Sequence, residues 1–312
     1  MKNIIFSFLL FTLLTGCSED SGNSVNPQET PDPNNPPLTN LTGSYVGQTP
    51  PGNTAQMFLP ALITEQVHTT TIFSPEGSEV FWTPMEDGYY YMRYMIFHNG
   101  FWSEPMNFEQ IGRYNDGEPC FSPDGNRLYF TSWRTPNVSG ILTKENIWYL
   151  ERTTNGWGDP IILPAIINEL DLHWSFSIAD NGNLYYGAHP IGEEDRNDIY
   201  CAEYENGNFV RRTRLGDSIN TAGSEDTPFI APDESYLMFA RVLNTGYADL
   251  FICFKNQDGS WGDPQNMTEI NTYSHELCPN VTKDGLYLFF MSFRSGDSKP
   301  YWISADIIEN YR

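Results

Sequence analysis

Basic residues are scarce in this 312-residue chain, with 17 Lys and Arg against 40 Asp and Glu, a net charge of −23. A surface that negative excludes a nucleic-acid partner and peripheral binding to anionic lipid. Long apolar runs are missing as well. The stretch from Ile4 to Leu14, after the basic Lys2, is too short to span a bilayer and reads as the core of a secretory signal. Cysteine is rare, five in all, and no pair has the spacing of a metal motif. No nucleophile elbow, Ser/His/Asp order, phosphate loop or dinucleotide fingerprint occurs. An enzyme reading therefore has no motif to stand on.

What the chain does contain is one cassette written five times. Its clearest copy is Glu118-Pro119-Cys120-Phe121-Ser122-Pro123-Asp124-Gly125, followed by Leu128-Tyr129-Phe130-Thr131-Ser132. Partial copies begin at Ser74, Ala179, Ala231 and Thr282, each followed by a short aromatic run such as Val80-Phe81-Trp82 or Leu288-Phe289-Phe290. With Pro75, Pro123, Asp180, Pro232 and Lys283 taken as equivalent, the intervals are 48, 57, 52 and 51 residues. A period of that length built from strands and tight turns is the pattern of a β-propeller with one blade per repeat.

Ser-Pro-Asp-Gly fits a type I turn, with Pro at the second position, joining a first strand to a second. A third strand follows, as at Asn146-Ile147-Trp148-Tyr149-Leu150. The fourth opens with an aromatic unit ending in Pro: Phe101 to Pro105, Trp157 to Pro160 and Trp261 to Pro264. Pro suits an outermost strand, whose edge needs no further donors. The fifth repeat stops before its fourth strand, and Met57-Phe58-Leu59-Pro60 has the spacing to supply it. The expected fold is all-β: a five-bladed β-propeller of four-stranded antiparallel blades, its ring closed by an N-terminal outer strand. The repeats resemble the TolB-type, WD-like propeller repeats of bacterial envelope proteins over roughly residues 50–312. That resemblance implies a propeller fold and leaves binding, scaffolding and catalysis all open.

The sequence Leu14-Thr15-Gly16-Cys17 resembles a bacterial lipobox, which implies a signal peptide over residues 1–16 and lipidation of Cys17. Ser18-Glu19-Asp20 resembles the acidic export tag of surface lipoproteins in Bacteroidetes-type bacteria. The implied location is the outer membrane, held through the lipid alone, with the periplasmic and surface faces both open. Residues 17–44, rich in Asn, Pro, Thr, Ser and Gly, read as a disordered tether, and 45–312 as the propeller. Cys120, Cys201, Cys253 and Cys278 fall in strand positions and read as buried free thiols.

Propeller sites lie where the first strands begin. Seven residues before the aligned turn position stand His68, Asp116, His173, Glu225 and Glu276, with Glu118 and His275 nearby. The far ends of the second strands return there, carrying Arg134, His189, Arg241 and Arg294. Asp116, Glu225 and Glu276 recur by repeat, which points to loop capping or to pairing with an Arg of a neighbouring blade. Asn168, Asn220 and Asn271 read as turn formers in the same loops. His68 and His173 break the repeat rule, where function tends to concentrate. Trp133, Trp174 and Phe293 sit beside these positions, and Trp174 is the candidate for stacking on a sugar ring, against a packing role between blades.

Three chemistries could use this mouth. A Zn or Mn ion would draw on His68, His173 and His275 with Glu225 or Glu276. A glycan-cleaving acid–base pair would use Glu118 with Glu225 or a His. An Arg- and His-lined pocket would take an anionic sugar through Arg134, Arg241 and Arg294. The expectation is a monomeric binding protein for a glycan or another small anionic molecule, with no resident cofactor. A polysaccharide lyase or glycoside hydrolase using His68, His173, Glu118 and Glu225 is the first alternative, and a protein-interaction scaffold in the envelope the second.

Overall fold

Each cassette folds as its turn chemistry dictates. In the second repeat the Gly125 N–H closes on the Ser122 carbonyl at 2.9 Å, and Gly125 takes a φ of +70° that glycine tolerates. Asp124 accepts from the Ser122 hydroxyl and the Asn126 N–H, and these bonds hold its carboxyl down at about 2. The same short-range bonding pattern recurs at Thr282-Lys283-Asp284-Gly285. Turn and flanking strands therefore form as one local unit.

The computed structural model describes residues 39–136, 145–191 and 196–312, without the side chain of His173. The expected signal segment, Cys17 and the tether as far as residue 38 lie outside these. Of the six antiparallel sheets among the described residues, five follow one another along the chain, and the small sixth joins Gln66–Val67, Pro84–Glu86 and Tyr89–Tyr90. The first orders Ile72–Phe73, Glu79–Trp82, Arg93–His98 and Phe101–Trp102; the second, Asp116–Phe121, Arg127–Ser132, Asn146–Thr153 and Gly156–Trp157. The third holds Asp171–Ile178, Leu184–His189, Asp198–Glu205 and Asn208–Arg214; the fourth, Glu225–Ile230, Tyr236–Val242, Ala248–Phe254 and Gln265–Asn266. The fifth orders Glu276–Val281, Tyr287–Ser292 and Lys299–Ser304, and its outer strand is Gln56–Met57, with Met57 opposite Tyr301. No helix among the described residues is long and apolar enough to cross a membrane.

Proline shapes the outer strands. In the first and second sheets the fourth position is split into two-residue pieces on either side of Pro105 and Pro160, because proline has no N–H to give the ladder. In the fourth sheet only the Lys255–Trp261 bridge precedes Pro264. The third repeat has no such proline, and its outer strand Asn208–Arg214 runs unbroken.

Apolar clusters fill the spaces between consecutive sheets. Phe81 and Met92 meet Phe121, Leu128 and Phe130; Tyr129 and Ile147 meet Leu172, Phe176 and Tyr186; Tyr185 and Ile199 meet Leu237 and Phe239. A fourth cluster joins Met238 and Leu250 to Leu288 and Trp302, and these to Val80 and Trp82. The first sheet thus shares a core with the fifth as well as with the second.

The Asn residues of the loops do more than form turns. Asn168 and Asn220 are buried, and each accepts from and donates to the backbone of Ile147 or Ile199 as an extra strand residue would. Asn271 does the same at Leu250. Within the expected tether, Thr39, Leu41 and Gly43 hydrogen-bond to Trp102, which lays that segment along the edge of the first sheet.

Candidate functional site

The first strand of four of the sheets carries a break in register at one equivalent place. It lies between Gly117 and Cys120, Leu172 and Phe176, Asp226 and Phe229, and Leu277 and Asn280. The residue at the break takes positive φ: Glu118 +53°, Trp174 +62°, Thr227 +50° and Cys278 +53°. In three cases proline follows. Non-glycine residues are seldom held there, and such bulges re-aim a side chain out of the pleat.

Glu118 and Trp174 are aimed at His68. The His68 Nδ1 donates to Glu118 Oε1 at 2.5 Å, and the Trp174 ring lies 5.6 Å away, tilted by 57°. The Glu118 carboxylate is fully buried, whereas 16% of the His68 side chain is exposed. Glu118 Oε2 has no hydrogen-bond partner among the described residues. The site thus presents a buried acceptor beside a mostly covered imidazole.

Two further residues complete the cluster. Tyr90 stacks on His68 with ring centroids 4.2 Å apart, and its hydroxyl donates to Glu145 at 3.3 Å. Tyr90 comes from a hairpin, Pro84–Glu86 and Tyr89–Tyr90, inserted between the second and third strands of the first sheet and paired with Gln66–Val67. Its ring lies against Gly117, where an added Cβ would stand 3.0 Å from Tyr90 Cδ2. Asp87-Gly88, both at positive φ, makes the hairpin turn. That dipeptide was the available signal for Tyr90. Glu145 precedes the third strand of the second sheet after a long connection, and nothing in its sequence context marks it.

The charges interlock. Burial pushes His68 toward its neutral form, but the hydrogen bond to Glu118 and the fields of Glu118 and Glu145 override this and hold its pKa above the usual imidazole value. Burial lifts Glu145 to about 7; His68 opposes the rise and Glu118 adds to it. Near neutral pH the cluster therefore holds a proton that Glu145 can gain or lose.

The other expected site residues go elsewhere. Arg134 binds Asp116 at 2.8 Å, Arg241 binds Glu225 at 2.8 Å and Arg294 binds Glu276 at 3.4 Å, in each case within one sheet. Each guanidinium also donates to a loop carbonyl, of Ile111, Ile219 or Ile270, and covers aromatic rings of its own sheet. Glu225 and Glu276 accept from Thr221 and Thr272 as well. These residues act as paired clamps, and the guanidiniums do not point at a common ligand. His189 Nδ1 donates to Asn197 at 2.6 Å. His275 accepts the Ala248 N–H at its Nδ1, and burial lowers its pKa, so it is neutral. His173 lies in the first strand of the third sheet. Among the described residues no group of three or more His, Cys, Asp or Glu is placed to hold a metal ion.

Exposed aromatics ring this end of the sheets, where first strands begin and second strands end. Tyr114, Tyr247 and Tyr273 stand on its loops, and Trp133, with 49% of its surface exposed, meets Tyr90 edge-on at 6.4 Å. At the opposite end a pocket of about 100 Å³ is lined by residues from all five sheets.

No protein-family profile matches the chain, and no curated protein matches it. Its fold is similar to a TolB structure from Agrobacterium tumefaciens, with 18% identity, a TM-score of 0.49, and coverage of 73% of this chain and 70% of that one. TolB from Acinetobacter baumannii is similar at 14% identity and a TM-score of 0.49, over 76% of this chain and 51% of that one. The catalytic domain of an α-L-arabinofuranosidase from Coprinopsis cinerea is similar at 12% identity and a TM-score of 0.49, over 80% and 94%.

Proposed function

We propose that the five sheets are the blades of one propeller, closed through the Gln56–Met57 strand, and that the chain is an outer-membrane lipoprotein anchored at Cys17 whose channel mouth binds a glycan. Shared cores between successive sheets, and between the fifth and the first, support the ring. The observation that carries the binding reading is the fully buried Glu118 carboxylate, one oxygen unpartnered among the described residues, beside the partly exposed His68 and the rings of Tyr90 and Trp174. The exposed edge of His68, held from behind by Glu118, meets a sugar hydroxyl, and the exposed face of Trp133 takes a sugar ring. With Arg134, Arg241 and Arg294 engaged in clamps and the surface strongly acidic, the site favours a neutral glycan over a uronate or sulfated one. Calorimetric titration of the full chain with neutral, uronate-rich and sulfated oligosaccharides tests this. Saturable binding confined to neutral sugars supports the reading, and binding confined to anionic sugars refutes it.

A second reading, glycan cleavage at the same cluster, is favoured by Glu145 at about 7 next to the His68–Glu118 pair, since a carboxyl poised near neutrality can pass a proton. It predicts release of reducing ends from a bound glycan, abolished in Glu145→Gln. Binding without release excludes it.

A further inference from the structure

The pocket at the turn end is separate from the mouth. It is lined by Thr69, Pro119 and Ser175, each the next residue along the chain from His68, Glu118 or Trp174, so the two sites stand back to back across the strand bulges. Hydroxyls and an amide from Thr69, Thr70, Ser175, Ser177 and Asn280 share its lining with the thiols of Cys120 and Cys278. The Thr70 hydroxyl is buried and has no partner among the described residues.

All five aligned turn positions, Pro75, Pro123, Asp180, Pro232 and Lys283, edge this pocket. Three keep the proline that presets the turn. The two that depart from it pair with each other: Lys283 Nζ donates to Asp180 Oδ1 at 2.6 Å. They belong to the third and fifth sheets and both edge the pocket, so the ion pair ties two of its walls together. Its side chains are 39% and 53% exposed, and a pair so exposed contributes little stability. Without proline the two turns lose their preset φ, so the exchange brings no net gain in stability.

We propose that Asp180 and Lys283 form a strap that controls the access of small uncharged hydrogen-bonding molecules to this second pocket. The opposite charges neutralise each other at the rim, and the lining beneath mixes uncharged hydrogen-bonding groups with apolar side chains such as Phe73, Phe176 and Phe229. What the mouth binds has no bearing on this assignment.

The four described cysteines report on it directly. Cys120 and Cys278 line the pocket, whereas Cys201 and Cys253 are packed in the core between the third and fourth sheets. The full chain is treated with methyl methanethiosulfonate, and modification is followed at each cysteine by peptide mass spectrometry. Lys283→Ala and Asp180→Ala should each speed modification of Cys120 and Cys278 about five-fold or more, with Cys201 and Cys253 unchanged. Removing a cation disfavours a nearby thiolate and removing an anion favours it, so a common acceleration identifies access. The charge-exchanged Asp180→Lys/Lys283→Asp protein should return to the wild-type rate. In wild type, 1 M salt should open the strap, because the screening length falls to about 3 Å. Unchanged rates at Cys120 and Cys278, opposite effects of the two single variants, or equal acceleration at all four cysteines would each overturn the proposal.

Discussion

At the scale of single residues, buried charge separates structural positions from functional ones. Arg241 and Glu225 form a clamp whose carboxylate is fully buried, so Arg241→Met should destabilise the protein by about 3–5 kcal/mol, the usual cost of leaving a buried charge without its partner. Adding Glu225→Gln should restore more than half of that loss in denaturant unfolding, and a double variant no better than the single one would contradict the clamp. Glu145 and Asp226 behave differently. Burial is the main cause that lifts both to about 7, from 4.5 and 3.8 respectively. Below those unperturbed values both are protonated in the folded and unfolded chain alike. As pH rises toward 7 the unfolded chain ionises first, and stability is lost up to about pH 7. Each carboxyl is worth on the order of 3 kcal/mol over that window. His68, whose pKa is raised, adds in the same direction: its contribution is full below the ordinary imidazole value and is lost as pH passes its folded value. Melting temperature should therefore fall from pH 5 to pH 8, and Asp226→Asn and Glu145→Gln should each flatten the fall. A profile identical to wild type in both variants would refute the assignment.

At the scale of elements, legibility followed locality. Ser122-Pro123-Asp124-Gly125 and its partial copies revealed the turns because their hydrogen bonds close within five residues. Pro105 and Pro160 announced an outer strand, though not that it would be cut in two. Repeat register brought His68, Glu118 and Trp174 to one end of the sheets. It could not show that Arg134, Arg241 and Arg294 would turn back onto their own sheets, since side-chain pairing depends on which face of the pleat each residue occupies. Tyr90 and Glu145 were missed because they arrive from an inserted hairpin and a long connection, outside the repeat. The hairpin's seat on Gly117 is tight, and Gly117→Ala should cost about 1–3 kcal/mol through overpacking. It should also shift the His68 ring resonances as Tyr90 is displaced. Unmoved resonances would show that Tyr90 does not depend on that contact.

At the scale of the whole molecule, exposed aromatics and the buried cluster meet at one end of the sheets, and the pocket edged by Asp180 and Lys283 lies at the other. We propose that the cluster end binds a neutral glycan, with Trp133 as its outer platform. Titration of wild type and Trp133→Ala with the same neutral oligosaccharide tests this most directly, because the half-exposed Trp133 ring can be removed without opening the core. Binding should be at least about ten-fold weaker in the variant, equivalent to about 1.4 kcal/mol, with the melting temperature unchanged. Equal affinity in the two proteins, or no glycan binding by wild type, would contradict it.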